Sequence, residues 1–206
     1  MQYSFSRVMS SFLEPAQIKR ITNFRVALGG AGGLGSNCAL MLARSGFEKF
    51  VIADFDRVEV SNLNRQIYFP EHIGRAKVEC LKEILLKLNP DAEIETHKIR
   101  VEKENALALF SQCDIVVEAF DCPQTKVVMA ELFINSDTPL ITASGLGGFG
   151  KSDRIVTRKA GRNIYLIGDE VSAISKKVKP FAPCVTIAAA KQADVVLSLA
   201  LGFEPV

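Results

Sequence analysis

The sequence of 206 residues contains no tryptophan, and aromatic residues make up only 8% of it. Proteins that bind single-stranded nucleic acid stack the bases on aromatic side chains, so this scarcity gives no support to such a surface. The formal net charge is only +2, and a charge this small creates no strong field toward nucleic acid or a membrane. We therefore expect neither nucleic acid nor membrane as a partner.

Long apolar segments are also absent. No run reaches the roughly 18 residues that indicate a transmembrane helix. The first residues, MQYSFSRVMSSF, contain neither the apolar core nor the small-residue cleavage site of a secretory signal. Both observations favour a cytoplasmic protein.

Cysteines are few, and their spacing fits no metal-binding pattern. The five cysteines are odd in number and scattered, with no CxxC pair: Cys38, Cys80, Cys113, Cys122 and Cys184. Disulfide frameworks and structural zinc sites need paired cysteines at short spacings. We therefore predict a protein without a disulfide framework and without zinc.

Apolar runs alternate with helical patterns along most of the chain. We predict a single α/β domain over 1–206, Rossmann-like, with a mainly parallel sheet and helices on both faces. After Gly145 the pattern changes to two or three strands of a short antiparallel extension. Residues 1–22 form an N-terminal helical segment, and 170–183 form a crossover loop. The expected strands cover 24–28, 49–53, 92–98, 114–118 and 139–143, and the expected helices cover 36–45, 75–88, 104–110, 124–134 and 184–201.

A glycine-rich motif of the form GxGxxG follows the first strand and opens a helix. Its glycines let a phosphate approach the backbone, and the helix N-terminus provides N–H groups and the positive end of the dipole. The glycines of this segment are Gly30, Gly32, Gly33 and Gly35. Asp54 lies 19 residues after Gly35, where an acidic side chain can accept hydrogen bonds from ribose hydroxyls. These features predict a nucleotide site, but an NAD enzyme would share them.

The segment from Asp54 to Gln66 separates the two kinds of nucleotide enzyme. It is a polar loop that contains Asp56, Asn62 and Arg65, and Lys77 follows it. Hydride transfer has no use for such a loop, whereas an arginine and a lysine can bracket a polyphosphate and stabilise the charge that develops on it. The loop favours a nucleotidyl transferase.

Asp121 follows the fourth strand directly, at the edge of a parallel sheet where ligands bind. Mg²⁺ prefers one or two carboxylates together with phosphate oxygens. We predict that Asp121 binds Mg²⁺, with the alternative that it caps the following helix.

The motifs GAGGLGSN, ADFDRVEVSNLNRQ, GRAKVE, EAFD and FAP resemble the ThiF/MoeB/HesA family, the bacterial relatives of ubiquitin-activating enzymes. The resemblance extends from about Phe24 to Leu201 and is strongest to the short ThiF-like branch of thiamine biosynthesis. It implies adenylation, with ATP and Mg²⁺, of the C-terminal carboxylate of a ubiquitin-like sulfur carrier that ends in Gly-Gly. It also implies a homodimer in which Arg7 reaches the partner subunit's site.

The resemblance further implies a role for each matching residue. It implies catalytic roles for Arg65, Lys77 and Asp121. The phosphates and ribose would be contacted by Gly30, Gly32, Gly33, Gly35, Asp54, Asp56, Asn62, Arg65, Gln66 and Lys77. Longer members carry a nucleophilic cysteine before the last helix, but 170–183 contains none, so we expect Cys184 and Cys122 to be inert. A catalytically inactive nucleotide-binding partner protein and an NAD-dependent oxidoreductase remain the alternatives.

Overall fold

The computed structural model of the protein describes residues 5–144, 147–169, 171 and 178–205. The strands are β1 (Arg25–Gly29), β2 (Lys49–Ala53), β3 (Glu93–His97), β4 (Ile115–Glu118), β5 (Leu140–Ser144), β6 (Val156–Lys159) and β7 (Ile164–Gly168). The α-helices are α1 (Phe5–Met9), α2 (Pro15–Asn23), α3 (Gly33–Arg44), α4 (Lys77–Leu88), α5 (Lys103–Phe110), α6 (Pro123–Phe133) and α7 (Ala182–Leu201). Short 3₁₀ turns cover Val60–Asn62, Pro70–His72 and Ser152–Arg154.

The strands form one seven-stranded sheet in the order β3-β2-β1-β4-β5-β7-β6. All neighbouring pairs are parallel except β6 and β7, which are antiparallel. The mainly parallel sheet with a short antiparallel extension is therefore confirmed. From β1 the chain passes first to β2 on one side and later to β4 on the other. In such sheets ligands bind at the carboxyl ends of the strands flanking this reversal.

Side chains of the central strands alternate between two hydrophobic layers. Val26 and Leu28 pack with helices α2, α3, α4 and α7, whereas Ala27 packs with α5 and α6. Burial on both faces explains why these strands read as continuous apolar runs rather than as alternating patterns. Helices on both faces are thus confirmed.

Helix α7 is long and apolar enough to cross a membrane by length and composition alone. Half of its most apolar window is buried within the protein, and it packs along α3 and contacts α2, β5 and β7. A core helix of a soluble domain has these properties, so the apolar composition of α7 is explained by its packing.

Three helices begin two or three residues away from their predicted starts. Helix α3 starts at Gly33 rather than residue 36, because its N-cap is the extended Gly32 inside the glycine motif. Helix α4 starts at Lys77 rather than residue 75, because Ala76 is still extended. Helix α7 starts at Ala182 rather than residue 184, since a proline is tolerated in the first turn of a helix. Half of the predicted 170–183 crossover (170 and 172–177), together with residues 1–4, 145–146 and 206, lies outside the described residues.

Candidate functional site

The turn between β1 and α3 needs glycine at two positions. Gly30 has a φ of +104°, and a Cβ there would lie 2.8 Å from the carbonyl oxygen of Ala119. A Cβ on Gly35 would lie only 1.8 Å from the carbonyl oxygen of Gly30. The backbone of the turn therefore packs directly against the first turn of α3 and against the residue after β4. These two glycines are required by the fold itself.

The other two glycines of the motif differ from each other. A Cβ on Gly33 would lie 2.9 Å from the Val185 side chain and 3.4 Å from Cγ of Arg65. Gly32 has an extended backbone that any residue can adopt. A Cβ there would meet only Nε2 of Gln66, at 3.9 Å. The space in front of Gly32 is open, and it lies at the N-terminus of α3, where backbone N–H groups attract anions.

Asp54 is buried at the carboxyl end of β2 and holds the glycine turn. Its Oδ2 accepts a hydrogen bond from the N–H of Ala31 at 2.7 Å, and its Oδ1 accepts one from the N–H of Asp56 at 2.8 Å. Burial raises the pKa of Asp54 above its ordinary value, against the lowering effect of these two N–H groups. The carboxylate thus orients the backbone of the turn, whether or not it also contacts a ribose.

The polar loop that follows is closed at its base. The N–H of Val58 donates to Arg75 O at 2.9 Å, and the N–H of Lys77 donates to Asp56 O at 3.0 Å. These bonds bring the two ends of the loop together beside β2. As a result Asp56 and Lys77, 21 positions apart, form an ion pair of 2.7 Å. The Lys77 side chain is only 7% exposed. Its ammonium is therefore fixed near Asp54, the carboxylate that holds the glycine turn.

Arg65 and Asn62 lie on the same loop. Nη1 of Arg65 donates to Ser61 O at 2.9 Å and to Oδ1 of Asn64 at 2.7 Å. Oδ1 of Asn62 accepts the N–H of Glu59 at 3.1 Å, which caps the 3₁₀ turn Val60–Asn62. A guanidinium carries five N–H donors, so the contacts through Nη1 orient Arg65 and leave donors on its other nitrogens for a ligand.

Two amide side chains join the loop to the start of α3. Nδ2 of Asn37 donates to Gly33 O at 2.6 Å and to Arg65 O at 2.9 Å. Gln66 is only 9% exposed, and its Oε1 has no hydrogen-bond partner. A buried amide oxygen without a partner is costly unless a ligand or water supplies a donor. Because Gln66 faces Gly32, it borders the open space at the N-terminus of α3.

Tyr68 contributes to the site but was missed at the sequence level. Its hydroxyl donates to Ala31 O at 2.7 Å and also lies 3.3 Å from Lys77 O. It therefore links the glycine turn to the first residue of α4 from inside the core, and burial raises its pKa well above the ordinary value. A lone tyrosine in a polar loop has no local signature, so only the tertiary contacts identify it.

Asp121 is exposed and lies just past the carboxyl end of β4. Ala119, two residues earlier, contacts Gly30 and Gly35 of the turn, so Asp121 follows a segment packed on the glycine motif. Within the described residues, no three His, Cys, Asp or Glu side chains lie close enough to hold a metal. A single carboxylate fits Mg²⁺ only when phosphate oxygens and water complete its shell, and the position of Asp121 at this sheet edge allows that.

Arg7 lies away from the site of its own chain. Two residues later, Met9 lies against Gly46, just beyond the C-terminus of α3. Helix α3 has 12 residues, which corresponds to about 18 Å at 1.5 Å per residue. The glycine turn is at the other end of that helix. Arg7 therefore lies near the end of α3 opposite to the glycine turn of its own chain.

The cysteines differ in accessibility. Cys184 is 5% exposed in the first turn of α7. Cys122 is half-buried at the N-cap of α6, and hydrogen bonds from the N–H and hydroxyl of Thr125 lower the pKa of its thiol. Burial raises the pKa of the Cys113 thiol to about 11. Among these three, Cys122 is the most exposed, and it is the one whose thiol pKa is lowered.

Comparison with known proteins identifies relatives of the whole chain. The sequence profile of the ThiF family matches residues 5–206. The chain is 31% identical to the adenylyltransferase and sulfurtransferase UBA4 of Candida glabrata over 198 residues, 90% of this chain and 46% of that protein. It is 36% identical to the adenylyltransferase and sulfurtransferase MOCS3 of Anopheles gambiae, over 70% of this chain and 33% of that protein. The chain spans less than half the length of these relatives.

Solved structures share the fold. The tRNA N6-threonylcarbamoyladenosine dehydratase TcdA of E. coli, in complex with AMP, superposes with a TM-score of 0.84 at 19% identity, over 95% of this chain and 92% of that one. E. coli MccB with AMPCPP and MccA superposes with a TM-score of 0.73 at 21% identity, over 96% of this chain and 62% of that one. The Rossmann-like architecture is therefore that of ThiF-type proteins.

Proposed function

The chain belongs to the ThiF family, and on that premise we propose that it is an adenylyltransferase that uses ATP to activate the C-terminal carboxylate of a small ubiquitin-like sulfur carrier. The observation that carries the proposal is the open space in front of Gly32. It lies at the N-terminus of α3, beside Arg65 and the unpartnered Oε1 of Gln66. That combination of N–H groups, a guanidinium and a buried amide suits a nucleotide polyphosphate.

In the proposed reaction a carboxylate oxygen of the carrier attacks the α-phosphorus of ATP. The bond from the α-phosphorus to the bridging oxygen breaks, pyrophosphate leaves, and an acyl-adenylate forms. No protein nucleophile is needed, so catalysis consists of positioning and of stabilising charge. Negative charge increases on the leaving pyrophosphate, and Arg65 and Lys77 are the cations at the site that would stabilise it.

The side chains around the turn have complementary roles in this proposal. Asp54 orients the turn through the N–H of Ala31 and would accept hydrogen bonds from the ribose. Asp56 holds the ammonium of Lys77 in place. Asn62 and Gln66 would contact the phosphates from the loop. Mg²⁺, when bound with ATP, would neutralise phosphate charge, and Asp121 is the residue that would hold it.

The identity of the carrier rests on resemblance and relatives. The names of UBA4 and MOCS3 describe adenylyltransferases and sulfurtransferases, which supports a sulfur carrier as the substrate. We propose a carrier that ends in Gly-Gly, since a tail without side chains suits a narrow approach to the α-phosphorus. The short ThiF-like pattern of the sequence favours a carrier of thiamine biosynthesis and a cytoplasmic location. A homodimer would supply Arg7 to the partner subunit.

The test is pyrophosphate exchange into ATP, measured with a Gly-Gly-ended carrier at saturating Mg-ATP. Exchange should require the carrier, and Lys77→Met should lower it by about 10²-fold, as for removal of one transition-state donor. Lys87→Met is the matched control, because it removes the same charge from the exposed last turn of the same helix. Control and wild type should have equal rates.

Other outcomes identify the alternatives. ATP binding by calorimetry without exchange for any Gly-Gly-ended carrier would contradict adenylation and favour an inactive nucleotide-binding partner. Binding heat with NAD but none with ATP would instead favour an oxidoreductase.

A further inference from the structure

Glu118 is a fully buried carboxylate that the proposed reaction does not use. It is the last residue of β4 and is paired in register with Gly29, directly before the glycine turn. Three residues later the chain reaches Asp121. Buried carboxylates are rare unless charge and hydrogen bonds compensate them, so the partners of Glu118 reveal what it does.

The carboxylate accepts four hydrogen bonds. Nζ of Lys126 donates to both oxygens at 2.9 Å. The N–H of Phe120 donates to Oε1 at 2.7 Å, and Oγ1 of Thr142 donates to Oε2 at 2.5 Å. An ionised carboxylate offers about four lone-pair sites. All of them are taken, so Glu118 has no site left for a metal ion or a substrate.

The hydrogen-bond donors of Lys126 are also all used within the protein. Besides the two oxygens of Glu118, its ammonium donates to Ala143 O at 2.9 Å. An ammonium has three donors, and these contacts use all three. Neither member of the pair can therefore contact a substrate without giving up a buried partner. Their function is to connect elements: β4 through Glu118, α6 through Lys126, and β5 through Thr142 and Ala143.

The main chain of Glu118 adds α7 to this connection. Its carbonyl oxygen accepts a hydrogen bond from Nε2 of Gln192 at 3.1 Å, and Gln192 is completely buried. The N–H of Phe120 donates to the side chain of Glu118, two residues earlier in the chain. This bond fixes the backbone one residue before Asp121. On the other side, Ala119 donates its N–H to Gly29 O at 2.8 Å.

From this network we propose that Glu118 is a positioning residue, which with Lys126 and Thr142 fixes the turn between β4 and α6 and thereby sets the place of Asp121 relative to the glycine turn. The inference rests on the proposed adenylation. Asp121 is exposed, so its own contacts restrain it little and the backbone before it determines where its carboxylate lies. Misplacement of a reacting or metal-holding group by about 1 Å can cost up to about 10²-fold in rate.

The experiment compares Glu118→Gln and Thr142→Val with wild type at a temperature where each variant is folded by circular dichroism. We expect kcat for pyrophosphate exchange to fall between about tenfold and a hundredfold in Glu118→Gln, with the Kd for ATP changed less than about threefold. The Mg²⁺ concentration for half-maximal rate should rise. Thr142→Val is the milder change because it removes a single hydrogen bond, so its kcat should lie between those of wild type and Glu118→Gln. Thr142→Ser keeps the hydroxyl and should have the wild-type kcat.

The matched control is Leu85→Ala, which makes a cavity at a buried position of α4, in the hydrophobic layer that does not contain α6. It should lower the melting temperature but leave kcat and the Mg²⁺ dependence unchanged. If Glu118→Gln behaves like this control, or if its kcat and Kd change in parallel with stability, the positioning role is wrong. A wild type without exchange activity would overturn the proposed function, whereas an active wild type with unaffected variants would overturn only this inference.

Discussion

Substitution by alanine should lower the stability at Gly35 but the ATP affinity at Gly32. In Gly35→Ala the new methyl carbon would lie 1.8 Å from Gly30 O and 2.8 Å from the carbon of that carbonyl. Backbone cannot move aside as a flexible side chain can. Overpacking of this kind costs about 1–3 kcal/mol or more, which exceeds the gain of about 1 kcal/mol from the helix propensity of alanine. Gly35→Ala should therefore unfold more easily than wild type.

In Gly32→Ala the folded protein has room for the methyl group. The backbone is extended, with φ −81° and ψ −151°, and the nearest atom is 3.9 Å away. Replacing glycine in a compatible conformation stabilises by about 0.4–1 kcal/mol through the unfolded state. Loss of a glycine N-cap costs a similar amount, roughly 0.5–1 kcal/mol. The two effects offset each other, so the unfolding free energy should change by less than about 1 kcal/mol.

The methyl group on residue 32 would, however, occupy the space in front of the N-terminus of α3. If a phosphate lies there, ATP must shift or lose N–H hydrogen bonds, each worth about 1.5–3 kcal/mol with a charged partner. The ATP affinity should then fall at least about tenfold, since 1.4 kcal/mol corresponds to a factor of ten.

Urea unfolding with and without ATP measures both effects. Wild type at an ATP concentration of 100 Kd should gain about 2.7 kcal/mol, and Gly32→Ala should lose about half of that gain or more while its stability without ATP stays near that of wild type. An undiminished gain in Gly32→Ala would refute the placement of phosphate at this turn. Equal destabilisation of both variants without ATP would refute the structural distinction between the two glycines.

Four further predictions concern the reaction, the thiols, the metal content and the assembly. Asp121→Ala should lower the rate of pyrophosphate exchange about 10²-fold, while its ATP affinity measured by calorimetry changes only a few-fold. Asp54→Asn should chiefly weaken ATP binding. Equal losses of ATP affinity in the two variants would contradict these roles. Because the pKa of the Cys122 thiol is lowered, its thiolate is more populated at a given pH, and its alkylation should reach half-maximal rate below pH 9.0, the ordinary pKa. Mass spectrometry should show that Cys184 is alkylated only when the protein unfolds, and Cys184→Ser should retain most adenylation. A reducible adduct with the carrier that is lost in Cys184→Ser would contradict the expectation that Cys184 is inert. Elemental analysis should find no stoichiometric zinc, and one zinc per chain would reveal a missed site. Light scattering should give about twice the 22.5 kDa chain mass, with Arg7→Ala lowering activity, and a fully active monomer would exclude the homodimer.

The sheet was predictable because its central strands are buried on both faces. Runs such as FRVAL and KFVIA are apolar apart from Arg25 and Lys49, and glycine or acidic residues follow them, so the element types and their order along the chain followed from the sequence. The start of α3 was not predictable to the residue. Its N-cap is Gly32, which carries no capping side chain, so the Ser, Thr or Asp that usually marks a helix start is missing there.

The contacts of the candidate site were only partly predictable. Lys77 and Asp56 were identified from their residue types, but their ion pair depends on closure of the polar loop between them. The contacts of Glu118 could not be predicted. Its partners lie 8 and 24 positions further along the chain, and no local pattern connects them. Tyr68 was missed for the same reason.

The two carboxylates that end β2 and β4 act on the same backbone from opposite sides. Asp54 accepts the N–H of Ala31 within the glycine turn. Glu118 accepts the N–H of Phe120, next to Ala119, whose carbonyl lies against Gly30. The turn is thus fixed before any nucleotide binds, and N–H groups that are fixed in advance need no reorganisation when charge develops on a phosphate. Since each carboxylate is itself held by donors within the protein, these hydrogen bonds offset the cost of burying the two groups.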